Sequence, residues 1–295
     1  RSTLFPYTTL FRSSTDLDLT TKEWTSIGSF LGTFDGRGHL VKLKAPLFHS
    51  AGNTRQPATL LDLNLSGDIA RSCTNAGSVY LASLANTCFG TIRNCSFTGS
   101  IVLEHTYTTG TIPALHLGGI VGTFTAPSAK TGEISGCRVR ARMTTKNNSK
   151  KPEAITAYIG GIVCGSSQNV AIRNCVFEGG IHAEEQGSPP FAFEVILGGI
   201  AAQNVTPIEN CRARFAASLS APDETTFGDV KIGGITGLQW DSPITSCLAD
   251  WTVSEDFPDV MYEVRVGGIA GELSGEEADL TNCVASVDLA VGNQY

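Results

Sequence analysis

The chain has 295 residues, 41% hydrophobic and 17% charged, with 32 Gly, 12 Pro and a formal charge of −7. Gly and Pro stay below the share that marks low-complexity chains, and no apolar run approaches the ~18 residues of a membrane span. A mildly acidic balance without a basic stripe argues against nucleic acid as a partner.

From the N-terminus, residues 3–13 read TLFPYTTLFRS. The string resembles the translation of a sequencing-library adapter, so residues 1–13 are set aside as a non-native segment. Residues 14–43 are expected to form an entry segment with a partial coil, and 44–295 a run of repeats. The last residues, Gly292-Asn293-Gln294-Tyr295, follow directly on a strand-like stretch. The chain therefore reads as a fragment of a longer gene, with further domains expected in the same protein.

The repeat is carried by Cys95, Cys137, Cys175, Cys211, Cys247 and Cys283, and by Gly-Gly pairs at Gly118-Gly119, Gly160-Gly161, Gly198-Gly199, Gly233-Gly234 and Gly267-Gly268. Self-similarity at this spacing marks a solenoid, propeller or array. With each Cys at position 0, position −3 holds Ile92, Ile134, Ile172, Ile208, Ile244 and Leu280. Position −1 holds Asn94, Gly136, Asn174, Asn210, Ser246 and Asn282. After each Cys the pattern alternates, as in a half-buried strand: Cys175, Phe177, Gly179 and Ile181 share one face, while Arg138, Arg140 and Arg142 lie on the other face of an equivalent strand.

An odd separation cannot place Ile −3 and Cys 0 on one face of a continuous strand, so the chain must turn between them. Asn and Gly tolerate the left-handed backbone of such a corner. The apolar residues flanking each Gly-Gly pair pose the same parity problem and imply a second corner. Upstream, Leu60, Asp62, Leu63, Leu65, Gly67 and Ile69 reproduce the columns without Cys, and Leu40 and Leu43 give a fainter echo. Two tight corners and one longer loop per repeat predict an all-β, three-sided parallel β-solenoid, expected to be right-handed, of about seven coils. A propeller repeats at a similar length but needs hairpin signals that are missing here.

The chemistry-bearing residues have bland readings. The six column cysteines lack the paired spacing of a metal site and read as buried corner fillers; disulfides between coils, or involving Cys73, Cys88 and Cys164, stay open. His39, His49, His105, His116 and His182 show no zinc-peptidase spacing. Glu184-Glu185, Asp223-Glu224, Glu255-Asp256, Asp259 and Glu276-Glu277 are expected in a solvated loop rim that could bind a cation or glycan. Asp35-Gly36 reads as a turn. Arg138, Arg140, Arg142, Lys146, Lys150 and Lys151 form a basic patch, and Asn64, Asn94, Asn147 and Asn204 begin N-x-S/T strings. No catalytic, cofactor or metal residue is assigned.

Gly-Gly-Ile-Val-Gly at 118–122, Gly-Gly-Ile-Thr-Gly at 233–237 and Gly-Gly-Ile-Ala-Gly at 267–271, each followed by Ile-x-x-Cys or its Leu equivalent, resemble the GLUG motif. The stretch from Trp24 to Gly38 is similar to the segment that often precedes such repeats. Gly160–Cys164 and Gly198–Ala202 lose the last Gly, and Ala82-Ser83 replaces the first pair. The resemblance implies a β-solenoid segment of a bacterial cell-surface or secreted protein, adhesin-like or a spacer, without catalytic residues. A glycan or a host or cell-surface protein is the expected partner. The alternative is a carbohydrate-active β-helix, a glycoside hydrolase or polysaccharide lyase, with its carboxylates on the outer face of adjacent coils.

Overall fold

The computed structural model describes residues 10–21, 23–74, 77–106, 114–128, 130–148, 155–186, 193–221, 227–254 and 263–289. The described residues contain only strands and turns, and every strand pairing is parallel. The chain is a parallel β-solenoid. Its first side carries nine strands, from Leu17–Asp18 through Ser96–His105, Arg138–Asn147 and Val176–Glu185 to Val284–Leu289. Its second side carries six, each from 79–82 onward ending at the Gly-Gly pair or its equivalent.

The third side is split. In one coil Ala85–Arg93 crosses it without a break; in the next, Val121–Thr125 and Gly132–Ser135 are separate strands, and a bend persists in every later coil. Six coils have all three sides. Ahead of them, Leu17 pairs with Val41 and Val41 with Leu65, so two turns of 24 residues stack in register, with no second-side strand among the described residues. Residues 14–43 thus already coil. The echo at Leu40 and Leu43 falls on other columns: Phe34 lies beside Leu60, and Leu43 beside Gly67, because Asp35–His39 adds a turn with Arg37 and Gly38 at positive φ. Leu10–Arg12, within the segment set aside from sequence, pairs with Thr33–Asp35, and Phe11 packs on Phe30 and Phe34.

Register explains the core. Ile92, Ile134, Ile172, Ile208 and Ile244 stack at position −3 and are completely buried, as are Phe97, Val139, Phe177, Ala213 and Ala249 at +2. A single coil cannot enclose these side chains; each buries them only against the coil before and after it.

Candidate functional site

The corner at position −1 has the backbone its residue types suggest. Asp62, Asn94, Asn174, Asn210, Ser246 and Asn282 have φ between 49° and 55°, and Gly136 has φ 64°. The chain reverses its side there, and Ile −3 and Cys 0 both point inward. The Gly-Gly corner works differently, since none of its glycines has a left-handed φ. A Cβ on Gly118, Gly160, Gly198, Gly233 or Gly267 would strike the carbonyl three residues on, at Val121, Val163, Ala201, Thr236 or Ala270. A Cβ on Gly119, Gly161, Gly199 or Gly234 would strike the carbonyl of the matching glycine in the next coil, Gly161, Gly199, Gly234 or Gly268. Glycine serves close approach here.

All nine cysteines are free thiols. Cys95, Cys137, Cys175, Cys211 and Cys247 are buried in a ladder; the Cys175 N–H donates to the Cys211 Sγ at 3.4 Å, and the Cys211 N–H to the Cys247 Sγ at 3.4 Å. Hydrogen bonding to the preceding thiol, then burial, pushes Cys175, Cys211 and Cys247 above the ordinary thiol range. Such thiols are poor nucleophiles. Cys283, on the last strand of the ladder, is half-exposed. Among the described residues no three of His, Cys, Asp and Glu gather closely enough to hold a metal ion.

On the outside of the first side, charges pair between coils: Arg140 with Glu178 at 2.6 Å, Lys146 with Glu184 at 2.8 Å, and Arg214 with Asp250 at 3.3 Å. The Arg140 hydrogen bond holds the Glu178 carboxyl below its usual range, helped by Arg138 and Arg212. The basic patch is therefore interleaved with acids; Lys150 and Lys151 lie outside the described residues. Glu184 and Glu185 are not in a loop rim. They end the strand Val176–Glu185, with Glu185 turned inward, buried, and accepting from Asn147 Nδ2 at 2.7 Å. A period-two pattern continues inward through polar residues here because neighbouring coils supply the partner. Asp223, Glu224, Glu255, Asp256 and Asp259 lie outside the described residues. Asp35 accepts the Arg37 N–H, the turn expected for it.

The outer faces of the second and third sides meet in a groove beyond the Gly-Gly corner. Tyr80, His116 and Tyr158 stack along it, with centroid distances of 4.4 and 5.0 Å. Burial pushes the His116 imidazole down to about 4, and its Nδ1 lies 3.4 Å from Cys164 Sγ. The last residue of each G-G-I-x-G string faces this groove: a Cβ on Gly122 comes 3.3 Å from the Tyr80 Cβ, whereas Cys164 and Ala202 fill a small second core with Ile196 and Leu238. Losing the last glycine widens the packing without breaking the corner.

A concavity of about 1110 Å³ lies on the third side where its two halves bend apart. Three short turns, 167–169, 205–207 and 241–243, succeed one another there, between the longer connections before Gly132 and after Ser274. Beneath them is a buried amide ladder. Ser166 Oγ donates to Asn204 Oδ1 at 2.5 Å and Asn204 Nδ2 to Gln239 Oε1 at 2.8 Å; Gln239 Nε2 donates to the carbonyls of Ser242 at 2.9 Å and Thr206 at 3.1 Å. These bonds satisfy backbone groups that the short turns leave without strand partners. Above the ladder stand Trp240, 45% exposed, with Asn169, Arg173, Glu133, Asp241, Glu276 and Glu277.

Sequence reasoning marked Asn204 only as an N-x-S/T string. In the fold Asn204 and Asn147 are buried and hydrogen-bonded, so neither side chain is open to glycosylation. The trough itself was not foreseen; its one sequence signal is the repeated three-residue turn S/V/D-x-N/P between strands, shorter there than in flanking coils. Among the described residues no helix is long and apolar enough to cross a membrane. In comparisons with family models and with curated proteins, nothing matches this chain.

Proposed function

We propose that this chain is a non-catalytic repeat segment of a bacterial cell-surface or secreted protein, working as an adhesin-like or spacer scaffold. The resemblance to GLUG-motif proteins belongs with this reading. The observation that carries it is how the outer charges are used. Arg93–Glu133, Arg173–Glu209, Arg140–Glu178 and Arg214–Asp250 each join one coil to the next, distributed along the stack instead of converging on one point. Such pairs contribute about 0–1 kcal/mol each and keep the outer surface wet; hydrolysis would need two carboxylates poised across one bond.

The alternative, a carbohydrate-active β-helix, draws support from the trough, where Glu133, Asp241, Glu276 and Glu277 line one concavity with Arg173. The test is incubation of the purified chain with a panel of plant, fungal and bacterial polysaccharides, following reducing ends and unsaturated uronate absorbance. No release above buffer is expected. Release that disappears in Asp241→Asn or Glu276→Gln would replace the scaffold reading with the enzyme.

A further inference from the structure

We propose that the trough around Trp240 is a binding site for an uncharged oligosaccharide, of neutral or N-acetylated sugars. The inference rests on the reading above, that the solenoid binds without cleaving. Trp240 is the first observation. Among the described residues of the C-terminal coils, the large aromatic rings of Phe215, Phe227 and Trp251 are nearly or fully buried, whereas Trp240 is 45% exposed inside a concavity. One exposed indole on an open surface carries little meaning. An indole inside a trough lined mainly by carboxylates, amides and hydroxyls, with Val170, Ala171, Val205 and Pro207 as its apolar part, has the composition of a small-molecule or glycan site.

The second observation is rigidity. Asn204 and Gln239 are both fully buried and clamp the turns 205–207 and 241–243 from beneath, with Ser242 Oγ donating to the Val205 carbonyl at 3.1 Å. The side chains above are thus held by a floor that needs no reordering on binding, which lowers the cost of association. From the coil of Gly132 to that of Gly275 the trough crosses four coil spacings, about 19 Å at the usual inter-strand distance. That length suits a chain of several sugar rings better than a single small metabolite.

Chemistry narrows the occupant. A pyranose offers a C–H face to an indole and a rim of hydroxyls to polar groups. The strands beneath the trough are hydrogen-bonded to a neighbour on each side, as in the order Val121–Thr125, Val163–Ser166, Ala201–Asn204, Thr236–Trp240. No edge is left there for an extended peptide to join as an added strand. Charge excludes polyanions: with Glu133 paired to Arg93 and Arg173 to Glu209 at 3.0 Å, the trough keeps the carboxylates of Asp241, Glu276 and Glu277 and, among the described residues, no cation to offset them. Uronic or sulfated chains would be repelled.

The experiment is titration of the whole chain with chitohexaose, cellohexaose, oligogalacturonate and hexalysine, read by tryptophan emission, with reducing ends measured in the same tubes. Saturable binding of at least one of the two uncharged hexaoses is expected, with a blue shift that survives Trp24→Phe. Trp240→Ala should weaken it about tenfold or more, as for an anchoring aromatic, while the circular dichroism stays unchanged. Asn204→Ala, which removes the clamp without touching the lining, should also weaken binding. Binding unaffected by Trp240→Ala, binding of oligogalacturonate or hexalysine alone, or no binding by either hexaose would each overturn the proposal while leaving the scaffold reading intact. Cleavage of a bound hexaose would instead leave the site and overturn the scaffold reading.

Discussion

In the N-terminal half of the stack, Phe97 and Phe177 fill position +2 while Gly99 and Gly179 occupy +4; in the C-terminal half, Ala213 and Ala249 stand at +2, and Phe215 and Trp251 at +4. The aromatic ring has moved two residues along the strand. At the change-over Phe177 and Phe215 lie 5.9 Å apart and tilted, and Phe215 then stacks on Trp251 at 5.3 Å. Gly161 leaves room for the Phe177 ring, Gly199 for Phe215 and Gly234 for Trp251. The outer groove changes as well, from the Tyr80–His116–Tyr158 stack to Lys231 and Arg265 paired with Glu272. Corner and ladder do not change. The lesson is a division of labour: the frame is a backbone requirement repeated in every coil, and the filling need only conserve volume between neighbouring coils.

Removing the filling should have the largest effect. Trp251→Ala empties the most voluminous fully buried side chain and also removes the donor that reaches the Gly268 carbonyl at 3.2 Å. A loss of about 3–5 kcal/mol is expected by urea unfolding. The double change Ala249→Phe with Trp251→Gly restores the N-terminal arrangement and should recover part of that loss; no recovery would show that the two halves are not interchangeable.

The two outer grooves can be separated by pH. Burial lowers His116 from 6.5 in the unfolded chain to about 4 in the folded one. Between these values the unfolded state binds the extra proton, so stability falls as pH drops from 6.5 toward 4, by up to ~1.4 kcal/mol per pH unit. His116→Phe, which keeps the ring between Tyr80 and Tyr158, should flatten that part of the profile. The Lys231–Glu272–Arg265 groove responds with the same sign in a lower window: its cations hold Glu272 below the usual range, so its contribution is complete above the unfolded carboxyl value of 4.5 and is lost as pH falls below it. A profile unchanged by His116→Phe would refute the buried neutral imidazole.

The frame should respond equally in both halves. Asn94→Val, Asn174→Val and Asn210→Val each force a β-branched residue into φ near 53–55°, at about 1–2 kcal/mol. The matching Gly substitutions should be nearly neutral. Unequal costs along the stack would show that the corner is shaped by its local filling.

How much of this was legible follows from the same division. Corners and inward columns are readable because parity and left-handed backbone restrict residue type, so Ile172, Asn174 and Cys175 announce themselves. The Gly-Gly pairs announce a corner but not its cause, which is a carbonyl three residues on for the first glycine and a carbonyl in the next coil for the second. Ser166, Asn204 and Gln239 were illegible: a polar residue that points inward to be satisfied by its neighbour in the adjacent coil looks, in one sequence, like a polar residue facing water. Glu185 and Asn147 were missed for that reason. The trough depends on relative turn lengths in successive coils, a property of the stack and of no single repeat.

The smallest expected effect concerns the most conspicuous column. Cys211→Ala removes one sulfur from a site where it receives the Cys175 N–H and bonds the Glu209 carbonyl at 3.4 Å. Both backbone groups also lie at a corner flanked by strand pairing, so the loss is that of a small apolar filler, about 1 kcal/mol. Thiol counting reaches the same point from outside. In the native chain an alkylating reagent should modify Cys73 and Cys283, both half-exposed, while the buried seven wait for global unfolding. If Cys211→Ala were as costly as Trp251→Ala, or if Cys175 and Cys211 were modified at the rate of Cys283, the ladder could not be inert filling. The comparison would then have to count the cysteines as part of the frame.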